Sequence, residues 1–214
     1  MVNRLKKALY GLKQAPRAWN EKIDAFFQDT GFSRSTADPQ LYIHKADGLV
    51  TAIVIYVDDL IITGDNQGFI SVTKQKLHAQ FDMTDMGLLH FFLGLEIWQH
   101  AQGIFISQQR YVQELLVAFS MLDAKTISSP MDANQKLSES SDSPPADVHL
   151  YRKLIGSLIW LLNTRCDISF PVSLLAGFMS SPLQAHWHVG LCILRYLKST
   201  PKLGILYSAD PDRS

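Results

Sequence analysis

Along this chain the apolar positions follow three habits, and each predicts a different element. In residues 16–30 the side chains Trp19, Ile23, Phe26 and Phe27 share one face of a 3.6-residue period. Pro16 suits a first helical turn and Gly31 an end, so a helix is expected there. "QLYIHK" and "LVTAIVIYV" read as strands joined through Asp47-Gly48, a strong hairpin signal. "LIITG" reads as a third strand, paired with the second through Asp58-Asp59. Residues 68–81 are weakly helical, with Ile70, Leu77 and Phe81 inward.

"HFFLGLEIWQ" and "GIFISQ" then form a strand pair turning at Ala101-Gln102-Gly103. Ser107 is placed to cap a helix from about Gln108 to Phe119. Ser, Pro and Asp dominate "SSPMDANQKLSESSDSPPADV" (128–148), the composition of a linker or long loop. Beyond it, residues 149–163, 168–180 and 182–199 are helical in pattern, and "LGILYS" reads as a last strand.

A chain of 214 residues, 47% hydrophobic, has ample material for a core and suits one large domain or two small ones. Its 20 basic and 20 acidic residues balance, so only local clustering bears on a nucleic-acid partner. Such a cluster exists: Arg4, Lys6, Lys7, Lys13, Arg17 and Lys22 stand against the single acid Glu21 within residues 1–22. Phosphate contact requires such a patch, although a charge run also suits a solvated helix face. Cys166 and Cys192 fit no metal or redox spacing and read as core thiols in a reducing compartment. The basic N-terminus lacks the apolar core of a signal peptide. Asp58 and Asp59 split the longest apolar run, which argues against a membrane span. His186 and His188, two apart on a helix with no Cys or acidic partner nearby, read as packing or exposed histidines.

The adjacent carboxylates carry the chemical question. Successive strand side chains point to opposite faces, so inside a strand they could not share a task. At a hairpin tip both can face one volume. Carboxylates about 4 Å apart repel by about 4 kcal/mol at an effective dielectric of about 20. Open water, protonation of one acid or a cation must relieve that. Magnesium, a hard ion preferring oxygen ligands, is the functional candidate; a solvated turn is the plain alternative. Two residues before Asp58, Tyr56 offers an amphipathic ring on which a base or sugar could pack.

"YVDD" resembles the core motif of reverse transcriptases, and its neighbours resemble the Ty1/copia retrotransposon type. "LKKALYGLKQAPRAW" (5–19), "YVDDLIITG" (56–64), "FDMTDMGLLHFFLGLEI" (81–97) and "LYRKLIGSLIWLLNTRCDIS" (150–169) occur in the family's order and approximate spacing. The resemblance implies DNA synthesis on an RNA or DNA template by a mechanism using two Mg²⁺ ions. It makes Asp58 the principal metal ligand, with Asp59 beside it, and lays Tyr56 and Val57 under the primer end and incoming dNTP. It sets Gly11, Lys13 and Gln14 beside the nucleotide pocket and template, with Pro16 and Trp19 starting the supporting helix. Leu93, Gly94 and Glu96 match a primer grip.

The resemblance implies an α+β fold. A partial palm, an antiparallel sheet with helices on one face, would span 1–127 and include the primer-grip hairpin. The linker 128–148 and a helical thumb- or connection-like segment 149–214 would follow. The family's further catalytic aspartate and its fingers belong upstream of "LYGLKQAP", and its ribonuclease H domain beyond "YSADPDRS", where Asp210 and Asp212 read as a solvated tail. The expectation is therefore a polymerase fragment with little activity alone. The alternative is a non-catalytic nucleic-acid-binding or folded remnant. An incomplete sheet also leaves edges open to self-association.

Overall fold

Burial alternates along "LVTAIVIY", giving that strand one buried and one open face, and the helical periods on either side supply what covers the buried one. The computed structural model describes residues 11–132, 137–138 and 142–209. Arg4, Lys6, Lys7, Asp210 and Asp212 therefore lie outside the described residues. The fold is α+β, as expected, and divides into two compact units, Met1–Gly87 and Leu88–Ser214.

In the first unit, strands β1 (Ser33–Arg34), β2 (Leu41–Ala46), β3 (Leu49–Tyr56) and β4 (Asp59–Gly64) form one antiparallel sheet in that order. Asp47-Gly48 makes the first hairpin loop with φ of 52° and 78°, both left-handed, as an Asp-Gly loop favours. Helices α1 (Ala15–Asp29) and α2 (Gln67–Gln80) contribute to the core on one side of the sheet. Ile23, Phe26, Phe27 and Leu77 bury there against Tyr42, Ile53 and Ile55. Each such side chain removed from water stabilises the unit by about 1.5–3 kcal/mol. Asn66, not Ser or Thr, caps α2 by accepting from Phe69 N at 2.9 Å.

Fully buried Tyr42 donates its hydroxyl to Asp24 Oδ1 at 2.6 Å. Burial, then that bond, pushes the phenol up to about 12. An unfolded tyrosine ionises near about pH 10, so this contribution is complete below that value and is lost as pH rises towards about 12. Urea midpoints measured from about pH 8 to about pH 11.5 should fall more steeply at the top of the range for the wild type than for Tyr42→Phe.

In the second unit, β5 (Phe91–Phe92), β6 (Leu95–His100), β7 (Gly103–Ser107) and β8 (Gly204–Ser208) form a separate antiparallel sheet. Helices α3 (Gln109–Ala118), α4 (Val148–Leu161), α5 (Ser169–Ala176) and α6 (Gln184–Ser199) enclose their own core. At Gly190 a Cβ would meet Leu154 Cδ2 at 2.7 Å, so a larger residue there would displace that methyl where α6 packs on α4.

Several expectations require correction. "HFFLGLEIWQ" is broken, because Leu93-Gly94 (φ 49° and 80°) forms a hairpin loop pairing Phe92 with Leu95. The start of α3 carries no cap from Ser107, which donates instead to Glu96. Cys166 is exposed in a 3₁₀ turn, since the apolar pattern around it is interrupted, and Cys192 is half-buried. The composition shift at residue 127 does not coincide with the division by packing. "LGILYS" forms β8 and pairs with β7, tying the 91–107 strands to the segment after 149.

Described parts of the linker are tied down. Gln184 N donates to Pro144 O and Ala146 N to Pro182 O. Just before it, Lys198, Arg195 and Ser199 of α6 donate to the carbonyls of Ala124, Lys125 and Ile127. Buried His186 accepts from Leu183 N at 3.1 Å and stacks on Phe178, a packing role. Among the described residues no helix is long and apolar enough to cross a membrane.

Candidate nucleotidyl-transfer site

β-branched residues at alternate positions of β3 keep Thr51, Ile53 and Ile55 inward, and this fixes its register with β4: Ile55 opposite Leu60, Tyr56 opposite Asp59. The two-residue loop is therefore Val57-Asp58, not Asp58-Asp59. Asp58 occupies the tip and Asp59 opens β4, on the same sheet face as Tyr56. All four residues from Tyr56 to Asp59 are exposed. Val57 has φ 55° while Asp58 keeps a negative φ, the type II′ pattern, whose first position normally takes glycine.

A cleft of about 940 Å³, mostly apolar in lining, adjoins the tip. Gly11, Pro16 and Trp19 line one part, and Gln40, Ile55, Val57 and Asp58 another. Folding thus brings the "YGLKQAPRAW" segment, from Gly11 onward, to the aspartate hairpin. Gly11 stands at φ 88°, and a Cβ there would touch nothing within 4 Å, so the backbone conformation calls for glycine. Lys13 and Gln14 are exposed, and Gln14 serves as the first flanking residue of α1. Of the basic stretch, Arg17 pairs with Glu21 at 2.8 Å and Lys22 lies 5.0 Å from the centre of the Phe81 ring.

Sequence reasoning missed the contact that joins these parts. Trp19 Nε1–H donates to the Val57 carbonyl at 3.0 Å. No periodicity signals a bond across that separation; only the proximity of both segments to one cleft could have drawn attention to it.

The donor chemistry at the tip fits magnesium: two exposed carboxylates offer hard oxygens and no competing soft ligand. The set is not a complete cage, because among the described residues no three His, Cys, Asp or Glu side chains gather to hold an ion.

The remaining sequence-chosen residues belong to the second unit. Leu93 is exposed at its hairpin tip, and the missing side chain of Gly94 leaves room beside the Trp160 indole. Glu96 is engaged structurally, its Oε2 accepting from Ser107 Oγ at 3.4 Å and from Arg110 N, in the first turn of α3, at 3.2 Å. This carboxylate takes the capping role expected of Ser107.

Residues 1–133 match the family described as reverse transcriptase (RNA-dependent DNA polymerase). The chain is 38% identical over 204 residues to the "Retrovirus-related Pol polyprotein from transposon RE2" of Arabidopsis thaliana, a match covering 95% of this chain and 14% of that protein. The corresponding polyprotein from transposon RE1 of the same plant is 39% identical with the same coverage. The "Putative transposon Ty5-1 protein YCL074W" of Saccharomyces cerevisiae is 33% identical over 93% of this chain and 65% of its own length. No solved structure matches. The chain thus spans about one-seventh of the plant polyproteins it matches. Motif order, the joining of two motifs at one cleft and these similarities lead to one assignment: the chain belongs to the reverse transcriptase (RNA-dependent DNA polymerase) family, of the Ty1/copia retrotransposon type.

Proposed function

We propose that this chain contributes the metal-holding hairpin and primer-supporting parts of an RNA-directed DNA polymerase, within a longer retrotransposon polyprotein. The observation that carries this reading is the cleft shared by the Gly11–Trp19 segment and the Val57-Asp58 tip. Asp58 and Asp59 would hold Mg²⁺, which when bound activates a primer 3′-hydroxyl and neutralises charge on the nucleotide phosphates. Asp58 faces the cleft and is the principal ligand; Asp59 adds a second carboxylate from the start of β4. Tyr56 and Val57 offer exposed apolar surface to the primer end and the dNTP. Gly11 lets backbone approach the nucleotide, and exposed Lys13 and Gln14 supply polar contacts to nucleotide and template.

In the second unit the Leu93-Gly94 loop acts as the primer grip, and the helices α4 to α6 as the thumb- or connection-like part. Glu96 serves this grip by fastening β6 to α3 rather than by touching nucleic acid, since its carboxylate is already engaged. The first unit forms the palm. Among the described residues β4 ends the sheet and offers an edge at which a further strand, or a second copy of the chain, can pair.

Two measurements on the purified chain test the reading. It should bind an annealed RNA–DNA primer-template with an affinity that falls linearly in log–log form with added salt. It should extend that primer with Mg²⁺ at little or no measurable rate, because two carboxylates do not fix a pair of ions within about 4 Å of each other. Absence of salt-sensitive binding would remove the nucleic-acid role. Robust extension that Asp58→Ala abolishes would show that the acids present suffice.

A further inference from the structure

Two features of the β3–β4 tip need each other. Val57 stands at φ 55°, a conformation that β-branched residues rarely adopt and that glycine usually fills. Its carbonyl oxygen accepts the Trp19 indole N–H at 3.0 Å. Two-residue loops with a left-handed first position come in two kinds, distinguished mainly by which way the peptide between the two loop residues faces. Here that peptide joins Val57 to Asp58, and the oxygen bonded by Trp19 is its own. Flipping the peptide would turn the oxygen away and swing the Asp58 backbone with it.

We propose that Trp19 is a positioning residue for Asp58: its indole N–H selects the type II′ orientation of the Val57–Asp58 peptide and so aims Asp58 at the cleft that both residues line. The donor is held from within the unit. The Trp19 ring meets Phe81 edge-on at 5.4 Å, and Phe81 meets buried Phe26 edge-on at 5.3 Å. The loops at Asp47-Gly48 and Leu93-Gly94 put glycine second and are left-handed at both positions, so local backbone preference accounts for their shape. The Val57-Asp58 loop lacks glycine, and an external hydrogen bond supplies what its own residues do not. The geometry of this inference stands by itself; its consequence for catalysis rests on Asp58 being the metal ligand proposed above.

The test uses the full 214-residue chain, isotopically labelled, with Mn²⁺ as the probe ion. Trp19→Phe keeps a ring against Phe81 and removes only the N–H donor. In the unaltered protein the nuclear Overhauser cross-peak between the Val57 and Asp58 amide protons should be weak, because a II′ loop holds these two protons apart. Trp19→Phe should make it strong, because the flipped peptide brings the two amides together, and should weaken Mn²⁺ binding by about tenfold or more, as removal of groups that orient metal ligands does. Adding Val57→Gly should restore both, because glycine takes the left-handed position unaided. A cross-peak that stays weak in Trp19→Phe overturns the proposal. Should that variant fail to fold, the unaltered protein decides: the Trp19 indole proton should exchange slowly with solvent, and exchange as fast as free tryptophan overturns the proposal. If the loop responds to Trp19→Phe but the wild type binds no Mn²⁺, Trp19 still positions Asp58, and it is the metal reading of Asp58 that falls.

Discussion

Arg165→Ala is expected to lower the unfolding free energy of the second unit by about 2–3 kcal/mol, the loss of charge-assisted hydrogen bonds from a buried guanidinium to the more exposed Asp167 carboxylate and to Thr200. Arg165 is 1% exposed, yet every direction its guanidinium points in is answered. Nε and Nη2 form a fork on the Asp167 carboxylate at 2.9 and 2.7 Å. Nη1 donates to Thr200 O at 3.0 Å, Nη2 also to Thr200 Oγ1 at 2.7 Å, and the plane lies 5.6 Å from the centre of the Tyr196 ring. Tyr196 adds its hydroxyl to Asp167 at 2.8 Å. The cluster thereby fastens the end of α6 to the turn after α4. Natural domains hold only about 5–15 kcal/mol in reserve, so urea denaturation should show a clearly lowered midpoint for this variant.

The same cluster sets an acid limit. Burial pushes Asp167 up, but the bonds from Arg165 and Tyr196 outweigh it, and the carboxyl sits below the usual carboxylate range. A depressed folded-state value means stability that is present above the unfolded value and is lost as pH falls through the folded one. Wild-type urea midpoints should therefore drop below the ordinary aspartate range, about pH 4 and lower. Asp167→Asn should flatten that limb. An Arg165→Ala change within about 1 kcal/mol of wild type would contradict this account of the cluster.

Asp58→Ala is the change with the largest expected effect on chemistry. In a longer polypeptide that also contains the upstream aspartate and fingers, steady-state primer extension on an RNA template should fall by about a thousandfold or more. Metal-held charge stabilisation contributes several kcal/mol in the transition state, and each 1.36 kcal/mol is a factor of about ten. Asp59→Ala should cost less, because Asp58 lines the cleft whereas Asp59 opens β4. Primer-template binding should change little in either variant, since phosphate contacts come from basic side chains. An Asp58→Ala rate within about tenfold of wild type would remove Asp58 from the metal site.

Local chemistry was the legible part of the sequence. Asp47-Gly48 determines its own loop, β3 buries alternate residues, and the helices fall where the 3.6-residue period puts them. What escaped depends on partners distant in the chain. β1 is only two residues long and exists because β2 is there to pair with it. The aspartate loop shifted by one residue because register is decided by burial along the whole of β3, not by the tip. Glu96 capping α3 and Trp19 bonding Val57 are contacts between elements, without any period to betray them. A Ser- and Pro-rich composition likewise gave no hint of the ties from Pro144 and Ala146 to the start of α6. Of the candidate site, the aspartate motif and the Gly11–Trp19 segment were readable; their meeting at one cleft was not.

The pairing of β7 with β8 has a consequence for how the molecule is made. Ser107 pairs with Glu96 on one side, but its partner on the other, Gly204, arrives only after the chain has passed through α3 to α6. While the polypeptide is still emerging from the ribosome, "GIFIS" must wait with one side of its backbone unsatisfied. Pairings between such remote segments are slow to form, and waiting strands invite contact between nascent chains. A copy cut short before Gly204 would keep its helices and lose this closure, and its failing would be aggregation during synthesis before any defect in chemistry came into play.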